Sequence, residues 1–220
     1  MTNLSTSLSL TLTDEFGREL PVHSNGIELI IPRDINLVLP PMTLQNVSSF
    51  VADHTNNPQF NLHFISIAQL NPNISVSVHF QLRPLNLHLG YLVIYRFDDI
   101  PRLSSAINQT DGWSLLCPSS EGLFTVFIDN QQTANHQSMI FGVRELDSSE
   151  LISHCSNGSL TAPITDRPFN FSANYELRTF TSGCYYSDPN RQWQSEGLLV
   201  SYQSVYSPSR PFSPGGTVDR

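Results

Sequence analysis

The 220-residue sequence predicts an all-β fold, an antiparallel β-sandwich, on three observations. Polar and apolar residues alternate along several segments, which is the pattern of strands with one buried face. Shorter runs are apolar throughout and are typical of strands covered on both faces. Clusters of Asn, Asp, Ser, Gly and Pro separate these segments, whereas the helix formers Ala, Glu and Lys are scarce.

The predicted strands follow one another along the chain. Alternation predicts half-buried strands at residues 8–12, 60–64, 76–82 and 169–177. Continuous apolar runs predict buried strands at residues 27–31, 91–95 and 123–128, with further candidates at 139–143 and 198–202. Turn residues at 23–26, 71–73, 156–158, 182–183 and 188–190 separate these strands.

One domain with a tail is the simplest organisation, because no internal linker or repeat is visible. The predicted domain covers residues 1–206. Residues 207–220 are rich in Ser, Pro and Gly, and we expect them to be disordered.

The charge pattern excludes several classes of partner. The net charge is −8, and no run of basic residues exists to bind nucleic acid or an anionic membrane surface. No apolar stretch approaches the roughly 18 residues of a membrane-spanning helix. Residues 1–13 do not read as a signal peptide, which we expect if the chain is an internal piece or a truncated form of a larger protein.

Glycosylation motifs favour an extracellular location. Six Asn-x-Ser/Thr sequons are present, at Asn3, Asn46, Asn73, Asn108, Asn157 and Asn170. The cysteine count is odd, so Cys117, Cys155 and Cys184 cannot all pair within the chain. Either one partner lies outside this sequence, or one thiol is free.

The sequence contains no pattern that predicts a catalytic residue, a metal site or a cofactor site. The sequence has neither a Gly-rich phosphate loop nor a nucleophile elbow. His63 and His79 would form a metal pair if adjacent strands brought them together, but solvent-facing positions are the better interpretation. His154 and Cys155 are neighbours on the chain, which places them on opposite faces of an extended strand.

Acidic residues are interpreted in the same way. Asp98 and Asp99 resemble a calcium-binding loop but lack further acidic ligands, so a solvated turn is favoured. Glu145, Asp147 and Glu150 are interpreted as surface charges.

The region 177–199 carries a family resemblance. Its Cys184, Tyr186, Trp193, Glu196 and Gly197 have the order and spacing of the opening of the GPS motif. This region resembles the end of the GAIN domain of adhesion receptors and polycystin-1-like proteins. The upstream runs 16–22 and 27–34, then 75–82 and 90–95, are similar to the polycystin-1-like version, so the resemblance covers roughly residues 6 to 200.

Departures from the family pattern limit what the resemblance implies. Leu198 stands where most members have Cys, and the His-Leu-Thr/Ser that performs self-cleavage in the family is absent, so this chain is not expected to cleave itself. By the resemblance, the partner of Cys184 belongs to the missing end of the motif. Cys117 and Cys155 are then free to pair with each other.

The resemblance implies a function without catalysis. The chain would be the extracellular, membrane-proximal module of a polycystin-like receptor-channel in the plasma or ciliary membrane, a parent linked to regulation of a calcium-permeable channel. Its partners would be the remainder of that protein and polycystin-2-type channel subunits. The alternative is a secreted carbohydrate- or ligand-binding β-sandwich, with a stacking platform formed by Trp113, Tyr185, Tyr186 and Trp193.

Overall fold

A computed structural model describes residues 13–18, 38–47, 60–68, 74–156, 161–164, 171–188 and 190–200. The chain divides into two compact units, Met1–Pro40 and Pro41–Arg220. In the first unit, the Asp14 carboxylate accepts hydrogen bonds from the backbone N–H groups of Phe16 and Arg18, at 2.9 Å each, and closes a turn. The strands predicted at 8–12 and 27–31, and the tail 207–220, lie outside the described residues.

The second unit is mostly β-structure. Its described strands are β1 (Thr43–Gln45), β2 (Asn61–Ser66), β3 (Ser77–Pro84), β4 (Tyr91–Phe97), β5 (Arg102–Leu103), β6 (Asn108–Gln109), β7 (Gly112–Leu116), β8 (Phe124–Ile128), β9 (Ser138–Glu145), β10 (Tyr175–Ser182), β11 (Tyr186–Ser187) and β12 (Trp193–Gln194). A short helix, α1 (Ser148–Glu150), runs directly into a π-helical turn, Leu151–Ser156.

Two four-stranded antiparallel sheets form a sandwich, which confirms the predicted fold class. Sheet A has the order β1-β10-β3-β8, and sheet B has the order β2-β9-β4-β7. Two small ribbons, β5-β6 and β11-β12, complete the described β-structure. The strands predicted at 76–82, 91–95 and 139–143 are confirmed as β3, β4 and β9.

The main core lies between the inner faces of the two sheets. Val78, Phe80 and Leu82 of β3 are completely buried, as the alternation of that strand predicts. Phe80 stacks on Phe141 of β9 with ring centroids 4.4 Å apart, so aromatic contact joins sheet A to sheet B.

Strand β4 is buried on both faces, as its continuous apolar run predicts. One set of its residues enters the main core, whereas Leu92 and Ile94 enter a second cluster on the outer face of sheet B. Phe60 lies in this second cluster and packs across Gly142, where an added Cβ would lie 3.0 Å from the Phe60 Cβ.

The chain that follows β9 covers this outer face. We call residues 146–156 the cover; its Leu146, Leu151 and Cys155 belong to the second cluster. A disulfide between Cys117, just after β7, and Cys155 fastens the cover to sheet B. The N-terminus of α1 is closed by a capping box, in which the Asp147 carboxylate accepts the Glu150 N–H at 2.8 Å.

A buried ion pair also holds the cover. Arg144 of β9 has a side chain that is only 2% exposed, and it binds both carboxylate oxygens of Glu150 at 2.7 Å. Its guanidinium also donates to the Pro163 carbonyl at 2.9 Å. The interpretation of Glu150 as a surface charge is therefore wrong. The chain reverses direction at α1, and this reversal places the Glu150 carboxylate against the buried Arg144 side chain.

The side chains of β2 that point towards the main core differ from those predicted. The alternation at 60–64 suggested that Leu62 and Phe64 face the main core, but Phe64 is 68% exposed. The inward residues of the strand are instead Asn61, His63 and Ile65, since the polar pair meets a hydroxyl on the opposite sheet.

Two further strand predictions need correction. The apolar run 123–128 suggested a central strand, whereas β8 is the last strand of sheet A as described. Residues 198–200 are the described part of the candidate strand 198–202, and they do not form a strand. The Asn130 side chain, rather than the backbone of a neighbouring strand, binds them.

Candidate functional site

The residues that resemble the opening of a GPS motif lie in one continuous stretch after β10. Cys184 is half-buried with a free thiol. Tyr186 pairs with Gln194, and Ser187 pairs with Trp193, in the β11-β12 ribbon. Directly paired residues share a face and neighbours alternate, so Tyr186 and Trp193 lie on opposite faces of the ribbon.

The end of the motif forms a turn. Glu196 and Gly197 are exposed, and Gly197 has a φ of +78°, a conformation that favours glycine. The Leu198 N–H donates to the Ser195 carbonyl at 3.1 Å and closes the turn. Ser195 itself is buried, and its hydroxyl accepts the Ser75 N–H at 2.8 Å. We call residues 195–200 the strap.

One buried amide binds the strap. Asn130 is only 2% exposed, and its side-chain Nδ2 donates to the Leu198 carbonyl at 2.7 Å. Its Oδ1 accepts the Val200 N–H at 2.9 Å. A carboxamide carries the same donor and acceptor as a peptide group, and an extended chain presents a C=O and an N–H two residues apart on one side. Asn130 therefore binds the strap as a neighbouring strand would.

A tight turn after β8 positions Asn130. The Asp129 carboxylate accepts the N–H groups of Gln131 and Gln132 at 2.9 Å each. The Thr133 hydroxyl donates to the Val76 carbonyl, and it also contacts the Asn130 carbonyl at 3.3 Å. Asn and Asp residues favour such turns. The sequence pattern does not single out Asn130, because the Val200 N–H that it binds lies about seventy positions further along the chain.

The Asp98 loop is a braced turn. Asp98 has a φ of 55°, and its carboxylate accepts hydrogen bonds from His136 Nδ1 at 2.7 Å and from the N–H groups of Gln137 and Ser138. The hydrogen bond from His136 lowers the Asp98 pKa to about 2. Asp99 pairs instead with Arg96 at 2.9 Å. No metal-binding group of three or more His, Cys, Asp or Glu side chains occurs in the described residues.

An open hollow of about 580 Å³ lies beside this loop. Phe64 of β2 and Gln137 line it together with Asp98. The Asp98 carboxylate is already engaged by its three donors, so this wall of the hollow is a structural element of the loop.

The two candidate metal histidines belong to different sheets. His63 lies on β2 of sheet B, whereas His79 lies on β3 of sheet A and stacks on Phe180 with ring centroids 4.4 Å apart. Neither is solvent-facing as interpreted: His79 is buried, and His63 points inward.

His63 belongs to a polar cluster between the sheets. Asn61 Nδ2 donates to the Tyr175 hydroxyl at 2.7 Å, and that hydroxyl lies 2.8 Å from His63 Nε2. The hydroxyl that accepts from Asn61 donates to a neutral imidazole. Burial lowers the His63 pKa to about 4, because a protonated ring would carry its charge away from water.

We expect His63 to make the stability of the protein depend on pH. The ordinary pKa of histidine is about 6.5, so the unfolded chain binds the proton more readily than the folded chain between pH 6.5 and about 4. The free energy of unfolding should fall as the pH is lowered through this window. Urea unfolding at a series of pH values measures the slope. His63→Gln should reduce the slope, and a slope equal to that of the unmodified chain would contradict this assignment.

The remaining predicted residues fall into three groups. Asn108 is exposed on the β5-β6 ribbon, where the Thr110 hydroxyl donates to its Oδ1 at 3.0 Å, and Asn46 is also exposed. The sequon residues Asn3, Asn73, Asn157 and Asn170 lie outside the described residues. Cys155 is bonded to Cys117, so it has no thiol to form a dyad with His154.

The other acidic residues have structural roles. Asp147 caps α1, and the Glu145 carboxylate accepts both the N–H and the hydroxyl of Ser172, at 2.9 and 2.6 Å. Asp147 is exposed, which agrees with its interpretation as a surface charge, and Glu145 is partly buried.

Comparison with known protein families, with curated proteins and with solved structures gives no match. Over the described part of the chain, no helix has the length and apolar character needed to cross a membrane.

Proposed function

We propose that this chain is a non-catalytic β-sandwich module that acts on the extracellular side of a membrane protein. The Cys117–Cys155 disulfide carries the proposal, because such bonds form and persist in oxidising compartments. The exposed sequon at Asn108 supports the same location. In this function the sandwich supplies a stable surface, and its buried polar side chains serve the fold.

The finer proposal is a membrane-proximal module of a polycystin-like receptor-channel. Its support is the sequence resemblance, together with the compact ribbon and turn formed by the residues that carry it. The module would act with the rest of that protein and with polycystin-2-type channel subunits. Co-purification of the chain with such a subunit, and not with an unrelated membrane protein, tests this proposal. Failure to co-purify would count against the polycystin assignment alone.

Glycosylation of Asn108 tests the extracellular location. We expect the full chain, expressed with an added secretion leader, to carry a glycan at Asn108 and an intact Cys117–Cys155 bond. Asn108→Gln and Thr110→Val should each remove one glycan, because both destroy the sequon. Gln109→Ala keeps the sequon and is the matched control. Peptide mass spectrometry measures both features, and a secreted chain with neither would contradict the proposal.

The alternative of a carbohydrate-binding sandwich has less support. Trp193 and Tyr186 are almost half exposed, but they lie on opposite faces of the ribbon. Trp113 lies on β7 and packs against the second cluster. A stacking platform needs aromatic faces on one surface, which Tyr186 and Trp193 do not share. Glycan-array binding that is lost in Trp193→Ala would favour the alternative.

A further inference from the structure

The strap is joined to the sandwich mainly by polar contacts. Its Leu199 is 59% exposed, and Leu198, Leu199 and Val200 belong to neither hydrophobic cluster of the described residues. Hydrogen bonds join the strap to the Asn130 side chain and to Ser75, which precedes β3. Because little apolar area is buried, opening of the strap should cost far less than unfolding of the sandwich.

The groups that bind the strap would lose hydrogen-bond partners if it left. Asp129 and Thr133 hold the backbone of the turn that carries Asn130, and Asn130 is only 2% exposed. A buried amide without hydrogen bonds is costly, whereas a backbone C=O and N–H supply one acceptor for its NH₂ group and one donor for its oxygen. Ser75 adds a second polar contact next to Asn130, with Nδ2 of Asn130 lying 3.4 Å from the Ser75 hydroxyl.

We infer that Asn130 and Ser75 form a binding slot for extended peptide backbone, and that the strap occupies this slot as a detachable internal ligand. The slot recognises a C=O and an N–H two residues apart, together with a small hydroxyl side chain at the Ser195 position. This is the chemistry of strand addition, in which main-chain hydrogen bonds provide affinity. The inference does not depend on the proposed extracellular function.

Hydrogen exchange of the full chain tests whether Asn130 holds the strap. We expect the Val200 amide to be protected, and Asn130→Ala to raise its exchange rate at least roughly tenfold while the β3 and β8 amides change little. Gln131→Ala, at an exposed neighbour whose side chain does not contact the strap, is the matched control. An unprotected Val200 amide in the unmodified chain would overturn the inference.

A second variant tests the slot without altering it. Val200→Pro removes the N–H that Asn130 accepts, so the strap should leave while the sandwich stays folded. A fluorescent peptide of the sequence 193–200 should then bind the full-length Val200→Pro chain, and the unmodified chain should bind it at least roughly tenfold more weakly. Adding Asn130→Ala to Val200→Pro should abolish this binding. Equal binding with and without Asn130, or no binding to Val200→Pro, would show that no backbone slot exists.

Discussion

Removal of the Cys117–Cys155 disulfide is expected to lower the free energy of unfolding by about 4 kcal/mol. The bond closes a loop with a sequence separation of 38, so the unfolded chain gains considerable freedom when the bond is lost. It also fastens the cover over Leu92 and Ile94, which form the outer face of sheet B. Urea unfolding of the double variant Cys117→Ala/Cys155→Ala should therefore show a much lower midpoint.

The third cysteine supplies the control for this experiment. Cys184 is half-buried and unbonded, so Cys184→Ala should change the midpoint only slightly. Reduction of Cys184→Ala should reproduce the effect of the double variant, because the remaining two cysteines form the disulfide. An unchanged midpoint in the double variant would mean that the cover is held without this bond.

Replacement of Arg144 by methionine is expected to cost about 4 kcal/mol of folding free energy. The loss arises because Glu150 and the Pro163 carbonyl both lose the guanidinium that satisfies them in a buried place. The Arg83–Glu176 pair offers a comparison, since its side chains are 49% and 28% exposed, against 2% and 12% for Arg144 and Glu150. Arg83→Met should cost less than about 1 kcal/mol, because solvent screens a surface pair.

A double variant distinguishes the cost of an unpaired buried Glu150 carboxylate from the cost of the lost ion-pair contact. Arg144→Met/Glu150→Met removes both charges, so it should recover much of the stability that Arg144→Met loses. Chemical denaturation of the three variants measures the recovery. If Arg144→Met is no more harmful than Arg83→Met, the pair between Arg144 and Glu150 does not hold the cover.

Much of the sandwich was predictable because burial leaves a local pattern. In β3, every second residue enters the core, and the period of two appears directly in the sequence. In β4, both faces are covered, and the apolar run is continuous. These signals do not state which sheet a strand joins, so they did not reveal that His63 and His79 lie in different sheets.

Local pattern misled at β2 because the sheet has two apolar faces. The residues that alternate there belong to the outer face, where Phe60 is covered and Phe64 is exposed. The inward face instead carries Asn61 and His63, which are stable there only because the Tyr175 hydroxyl of β10 binds them. No feature of the sequence near β2 indicates that Tyr175, more than a hundred positions away, is the partner of His63.

The sequence alone determined the β class of this protein and its principal strands. Composition and periodicity suffice for these two properties, because burial of alternate side chains acts on neighbouring residues. Only the tertiary structure decided which polar groups are inside: Arg144 with Glu150, His63 with Tyr175, and Asn130 with the strap. A polar side chain is stable in a core only when a hydrogen-bonding partner lies beside it. The fold of the whole chain determines which partner lies there.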